Sequence, residues 1–507
     1  MNRYSKFLLV SALLCIPLLN SQANSCQLVA DSGQAPLVLG KKKLSVFWSQ
    51  EYSGSDLVKS EMTKIPWASD VKVALYDSGF EREFINVSDD IRVDKKNATR
   101  RVMVGHHGTN VANIINGPSH YGSTDKADYM ALRNVYFSRV YVEEFEKYQE
   151  SGIYPRVISN SYGWSNSLEI QEQSFKARDN NVMWFLAAGN DYPTSISEVE
   201  DNSGAILVGS YAPSGLQSAF SQISDNVVIL SPADDMQASI DGKGRHNHFG
   251  GTSGATPLVA ANAINIISIL PEIRIDQYTS LLKKTALPSF EQVNEDKNAP
   301  GLFNGYKAFR VAFKVATKCQ NKLVTQDKQE CVELELNNDE NYIFSSSQIN
   351  TDSIYDESAG CEERKAHLML LRKKTLLENR AEDWQKLAQF YTHYGFEKNA
   401  EFAHHMARGF QLDNTLRKEL QDSAIAVLKE ERFFDSYFRY QHYFDKKYQL
   451  SLASMLVHDS KLSPYWLSSF LVRYGENLDP TVVDYLNHSL KYAREDVVEY
   501  IYDVLYR

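Results

Sequence analysis

The segment Gly250-Gly251-Thr252-Ser253-Gly254-Ala255-Thr256-Pro257 constrains this chain more than any other. Its two leading glycines allow a tight turn and a close backbone approach. Ala255, then Leu258-Val259-Ala260-Ala261, open a helix so apolar and small-sided that it suits a protein interior. A serine at the start of such a helix lies near free backbone N–H groups and the positive end of the helix dipole. Those donors suit an oxyanion formed in acyl transfer. Gly-Thr-Ser is also ordinary N-cap chemistry, so the segment acquires a chemical meaning only if partners exist elsewhere.

A serine nucleophile needs a base and a group that orients the base. Val71-Lys72-Val73-Ala74-Leu75-Tyr76 reads as a strand that ends in Asp77-Ser78-Gly79. A carboxylate at the carboxyl end of a buried strand is well placed for a site, although Asp-Ser-Gly is also good turn chemistry. Next, the Gly105-bracketed pair His106-His107-Gly108 leads into an amphipathic helix through Ile115. Val157-Ile158-Ser159-Asn160 is a further strand that runs into Ser161-Tyr162-Gly163. Val182 to Leu186 is a continuous apolar strand that ends in Ala187-Ala188-Gly189-Asn190. Asn190 serves either as a left-handed turn residue or as a side-chain amide donor to an oxyanion.

In the order Asp, His, Ser-x-Gly, Asn, Ser, these pieces resemble the subtilisin-like serine proteases, the subtilases. The resemblance spans residues 65 to 316 and closes on Gly301-Leu302-Phe303-Asn304-Gly305, which looks like that family's last Gly-rich strand and helix. It implies an α/β fold, a three-layer domain with a mostly parallel sheet. It also implies roles. Ser253 corresponds to the nucleophile, and His107 to the base, because His107 and not His106 precedes Gly108-Thr109. Asp77 corresponds to the group that orients the imidazole, and Asn190 to the oxyanion donor. Ser161, Tyr162 and Gly163 correspond to the strand that pairs with an extended substrate, and Ala187, Ala188 and Gly189 to a wall of the primary specificity pocket. The chain departs from the family at Asn110, where a second histidine is usual, at Asn113, where glycine is usual, and at Ser231-Pro232-Ala233, where Ala-Pro-Gly is usual. Asn113 places a larger side chain where that helix packs tightly, so local packing must differ. The resemblance calls for no cofactor. A structural calcium ion is compatible with it but leaves no signature here. His246-x-His248 lacks a third ligand for a metal and reads as a solvent-facing loop.

Length and charge agree. The 507 residues suffice for two or three domains, and the net charge of −10 argues against nucleic acid as a partner. Residues 1–23 read as a signal peptide, with Arg3 and Lys6, an apolar core from Phe7 to Ile16, and Ser21-Gln22-Ala23 for cleavage. That places the protein in the periplasm or outside the cell, with no membrane span. Cys26, Cys319, Cys331 and Cys361 remain after cleavage, an even number that favours disulfides in an exported chain. Three connectivities are open, among them Cys319–Cys331 with Cys26–Cys361. About fifty residues separate the cleavage site from Asp77, too few for a full-size folding propeptide.

The expected domains are a signal peptide (1–23), a peptidase domain (24–316), a cysteine-bearing connector (317–362) and an all-α helical-hairpin domain (363–507). Val332-Glu333-Leu334-Glu335-Leu336 alternates and is read as a strand. Helices are expected to start at Ser463-Pro464 and Asp479-Pro480. Trp384, Leu387, Ala388, Tyr391, Gly395, Ala400 and Ala407 fall at the spacing of a tetratricopeptide repeat, with His404 and Leu412 as departures. The aromatic run from Phe433 to Phe444 is read as solenoid core rather than a peptide groove. The sequence therefore points to an exported serine endopeptidase acting on peptides or proteins, with helices that recruit a substrate or partner. A catalytically idle binding scaffold built on the helical array is the alternative, and a maturation protease dedicated to one recruited partner is a third reading.

Overall fold

A computed structural model describes residues 37–491, with gaps at 40–41, 90, 92, 94–106, 118–121, 136–138, 165, 235–236, 241–245, 323, 346–359, 430–435, 459–469 and 473–474. The signal peptide, Cys26, His106 and the Ser463-Pro464 helix start lie outside the described residues. An antiparallel pair, β1 (Leu37–Leu39) and β2 (Lys42–Leu44), leads into helices α1 (Trp48–Ser53) and α2 (Ser55–Met62). The main body follows: β3 (Val71–Asp77), α3 (His107–Asn116), β4 (Ala127–Asn134), α4 (Arg139–Ser151), β5 (Val157–Asn160), α5 (Leu168–Asp179), β6 (Met183–Ala187), α6 (Glu198–Asp201), β7 (Ile206–Tyr211) and β8 (Val227–Pro232). These strands form one parallel sheet in the order β4-β3-β5-β6-β7-β8. Helices cover both faces, so the strands are apolar almost throughout, as a doubly covered parallel sheet requires. The expected α/β fold is present.

Register positions the site. Tyr76, Asn160 and Leu186 share one row across β3, β5 and β6. Asp77, Ser161 and Ala187 each lie one residue further, at the carboxyl edge of three adjacent strands. A hairpin of β9 (Gln237–Ile240) and β10 (His246–His248) precedes α7 (Thr252–Ile269). His246 and His248 thus lie on a paired strand, not on the loop expected from sequence. Every residue of α7 is buried, and the helix packs on β5 to β8 and on α3. Its run of small and aliphatic residues, expected to suit an interior, is what permits that position.

Beyond the sheet come α8 (Ile275–Thr285), α9 (Phe290–Asn294), α10 (Gly305–Cys319) and α11 (Thr325–Asn337). The 332–336 segment belongs to α11 and is not a strand. Val332 and Leu336 are buried while Leu334 is 71% exposed. The buried pair is four apart, a helical spacing, and the alternation in the sequence was coincidental with it. A disulfide between Cys319 and Cys331 joins α10 to α11. Cys361 is disulfide-bonded too, and its expected pairing with Cys26 lies outside the described residues.

Described helices beyond these include α12 (Cys361–Glu378), α13 (Ala381–His393), α14 (Glu397–Ala407), α15 (Asn414–Lys429), α16 (Lys446–His458) and one at Pro480–Lys491. The expected start at Asp479-Pro480 is therefore met. Helices α13 and α14 form a hairpin whose turn holds Gly395 at φ +72°. Trp384, Leu387, Ala388, Tyr391 and Ala400 are buried in it. It is a helical hairpin, and nothing further ties it to the tetratricopeptide family.

The composition change near residue 317 is not a seam in space. Segment 42–62 lies between the sheet domain and helices α12 to α14. The Arg372 guanidinium donates to both oxygens of Asp56, at 2.7 and 2.9 Å, and to the Glu51 carbonyl at 2.9 Å. Glu61 takes Lys373 and the Tyr306 hydroxyl. Phe402 stacks on Tyr52 with ring centroids 4.0 Å apart and also on Tyr211 of β7. Of the aromatic run, expected as solenoid core, Tyr440 and Tyr443 pack on the sheet domain. Tyr440 and Tyr443 lie edge-on to Phe290. The Tyr440 hydroxyl bonds Glu291 and accepts the Gln217 N–H.

Candidate active site

Asp77 is fully buried at the end of β3, and His107 begins α3. His107 Nδ1 lies 2.7 Å from Asp77 Oδ1. A carboxylate only accepts, so Nδ1 carries the hydrogen, and Nε2 of the neutral ring keeps its lone pair. Asp77 Oδ1 also takes the Ser78 N–H at 2.6 Å, while Oδ2 is buried without a partner among the described residues. Burial by itself lowers the pKa of His107, but the charge and hydrogen bond of Asp77 outweigh it, and the net shift is upward. Phe249 and Tyr162 stand edge-on to the imidazole, at centroid distances of 5.0 and 6.5 Å, and limit its rotation. The ring stays 27% exposed.

Ser253 is the second residue of α7. Gly251, at φ +71°, makes the turn into the helix, and a Cβ there would come within 3.2 Å of the Asn190 side chain. The Ser253 hydroxyl donates to the Ser161 carbonyl at 3.1 Å, and the Ser161 hydroxyl donates back to the Ser253 carbonyl at 2.9 Å. The second bond follows from sequence. Residue 257 is proline and lacks the N–H that would otherwise close the i−4 bond to Ser253, so the Ser253 carbonyl is free for Ser161. Substrate-strand and nucleophile candidates are thereby fixed to each other. Among the described residues the Ser253 hydroxyl is bonded to Ser161 and not to His107.

Asn190 is exposed, and its Oδ1 accepts both the N–H of Thr252, at 2.9 Å, and its hydroxyl, at 3.0 Å. Two donors on one atom assign that atom as oxygen. The Asn190 NH₂ group then points away from Thr252 and is available to a ligand. The N–H of Ser253, near the start of α7, has no intrahelical partner. The left-handed conformation at the end of β6 belongs to Gly189, at φ +100°, and not to Asn190. The turn reading of Asn190 is thus replaced by an amide fixed by Thr252. Ala188 is buried, and Ala187 ends β6 with Gly189 N–H on the Thr252 hydroxyl at 3.2 Å.

The structure therefore gathers the sequence-predicted residues at one edge, on β3, β5, β6, α3 and α7. Two contributors escaped sequence reading. Thr252 adjoins Ser253, and its two-sided bonding needed only the question of what orients Asn190. Gln222 carries no local signal. Its Oε1 takes the Asp191 N–H, and its Nε2 donates to the carbonyls of Thr194 and Ser195 at 2.8 Å each, so it holds the loop after Asn190. Asn113, expected to disturb packing, is buried and donates to the Thr109 carbonyl within its own helix.

Residues 68–308 match the subtilase family. That part of the chain is a subtilase domain. Among solved structures the chain is similar to the PatG macrocyclase in complex with peptide, at 15% identity and TM-score 0.41 over 50% of this chain and 95% of that one. It is also similar to a chain of the subtilase cytotoxin SubAB assembly, at 17% identity and TM-score 0.42 over 53% and 97% of the two chains. No curated protein matches the chain at a significant level. Within the subtilase domain and the helices beyond it, no described helix is long and apolar enough to cross a membrane. Among the described residues no group of three or more His, Cys, Asp or Glu side chains could hold a metal ion.

Proposed function

We propose that the protein is an exported serine endopeptidase that cleaves peptide bonds through an acyl-enzyme on Ser253. The observation that carries this reading is the 2.7 Å bond from His107 to a buried Asp77. It fixes the imidazole tautomer with Nε2 as the proton acceptor. His107 takes the Ser253 proton as Oγ attacks the substrate carbonyl, then returns it to the leaving amine. The Ser253 N–H and the Asn190 amide stabilise the oxyanion. The attack requires the Ser253 hydroxyl to leave the Ser161 carbonyl, a side-chain rotation with no backbone change. Residues 161–163 take the extended substrate backbone, and Ala187, Ala188 and Gly189 wall the pocket for the residue preceding the cleaved bond.

Domain boundaries at residues 24, 317 and 363 fit this assignment as units of sequence, and export fits the N-terminal segment and the disulfide. The helices extend the surface beside the peptidase edge and recruit the substrate or a partner. The test is labelling by a serine-directed fluorophosphonate. Reaction at Ser253, lost in Ser253→Ala and in His107→Ala, supports the reading. An inert Ser253 in a folded protein favours the idle binding scaffold.

A further inference from the structure

The loop from β6 to β7 reaches the segment that follows the carboxyl end of β5 and the helix α5. It carries α6, whose sequence Glu198-Val199-Glu200-Asp201 holds three acidic residues. Glu200 reaches the opposite wall of the proposed pocket. Its Oε1 accepts the Trp164 N–H at 2.6 Å, and its Oε2 accepts the Ser197 hydroxyl at 2.7 Å. A Cβ on Gly163 would lie 3.2 Å from Oε1. The carboxylate is thus uncovered on the side of Gly163, where any larger residue would press on it. Glu200 is half-buried, and it has no ion-pair partner among the described residues.

The two bonds alone do not account for a carboxylate. A glutamine keeps both contacts, its oxygen accepting the Trp164 N–H and its NH₂ donating to the Ser197 hydroxyl, with bonds weaker than those of the carboxylate. The carboxylate adds a negative charge whose partial burial opposes folding unless something positive pairs with it. Trp164 N–H and Ser197 hold it in place, and the glycine leaves room for a long side chain to reach it.

We propose that Glu200 selects lysine or arginine as the residue preceding the cleaved bond. This rests on the peptidase reading above and names its substrate class. The basic side chain would run between the 161–163 strand and the Ala187–Gly189 wall and end on the free face of the carboxylate, a charge-assisted bond in a partly dry site. Glu200 is then a specificity determinant that touches substrate and takes no part in proton transfer.

The test uses the full-length protein and fluorogenic peptides that differ only at that position. Wild type should show kcat/KM for Arg or Lys at least about tenfold above Leu and Phe. In Glu200→Gln, which keeps the bonds to Trp164 and Ser197, the Arg-to-Leu ratio should fall about tenfold or more. Benzamidine gives an independent readout. It should slow fluorophosphonate labelling of Ser253 in wild type, and Glu200→Gln should need at least about tenfold more of it. A cooperative thermal transition certifies the variant as folded, and the wild-type profile tests the idea without any variant. Labelling of Ser253 with Leu or Phe preferred, or a ratio unmoved by Glu200→Gln, overturns the pocket assignment and leaves the peptidase reading standing. Absence of labelling overturns both.

Discussion

Arg372→Ala should destabilise the peptidase body although Arg372 lies in the helical region. Its side chain is 11% exposed, with two bonds to Asp56 and one to the Glu51 carbonyl. Removing one partner of a fully buried ion pair costs about 3–5 kcal/mol. Asp56 is 31% exposed, so water can recover part of its solvation, and the expected loss falls to about 2–3 kcal/mol. The Glu51 carbonyl, which loses a charged donor, keeps the figure from falling further. At about 2–4 °C per kcal/mol for a unit of 150–250 residues, the melting transition should drop by roughly 4–12 °C, with the lower end for a larger cooperative unit. Scanning calorimetry reads this directly, and an Arg372→Met/Asp56→Asn cycle should return a coupling energy of about 1 kcal/mol or more. One transition that shifts as a whole is expected, because the pair joins α12 to α2. If the helices melt alone at lower temperature while the peptidase transition stays in place, or if the shift is under about 1 °C, the argument for one welded body is wrong.

Other consequences follow from the same contacts. Ser253→Ala should remove nearly all peptidase activity without lowering the melting temperature by more than a few degrees, and retain a residual rate above water from the oxyanion donors. Activity should rise with pH through the ionisation of His107, since only the neutral ring accepts the serine proton. Because Asp77 raises that pKa, the midpoint should lie above the ordinary value of about 6.5, and Asp77→Asn should abolish the profile along with most of kcat. Glu401 is held at a pKa of about 2 against burial, which pushes it up, by Lys398, Lys42 and His405. Its stabilisation is present above its unfolded value near 4.5 and is lost as pH falls toward 2, so Glu401→Gln should flatten acid unfolding in that window, an effect on the order of 3 kcal/mol. A chain cut after residue 316 should fail to give a cooperative transition, because Tyr52, Tyr211 and the Asp56 carboxylate lose their cover. A folded, active truncate would refute that.

Much of the site was legible in the sequence because its parts are local. A strand ending in Asp77, a helix opening at His107 and a Gly-Thr-Ser turn before a small-residue helix each have a short-range signature. Their common order pointed to one edge of one sheet. The bond that turns Pro257 into a reason for the Ser161–Ser253 link was also latent, since a missing N–H is a property of the residue itself. Other features were not local. Alternation at Val332, Leu334 and Leu336 suggested a strand, but only the surroundings decide which apolar residue is covered, and α8 and α10 cover the two that are four apart. The aromatic run before Phe444 looked like core, and nothing in it said whose core.

What the sequence by itself determined is the subtilase domain, with its strands, its buried α7 and its candidate residues, because backbone propensity and side-chain chemistry act over a few positions. What only the tertiary structure decided is that the helices are part of the same body. The reason is that burial and charge pairing are relations between distant segments. Arg372 finds Asp56 across 316 positions of chain and Phe402 stacks between Tyr52 and Tyr211. Glu200, one acidic residue among many in the chain, gains its meaning from Gly163 and Trp164 on a different strand connection.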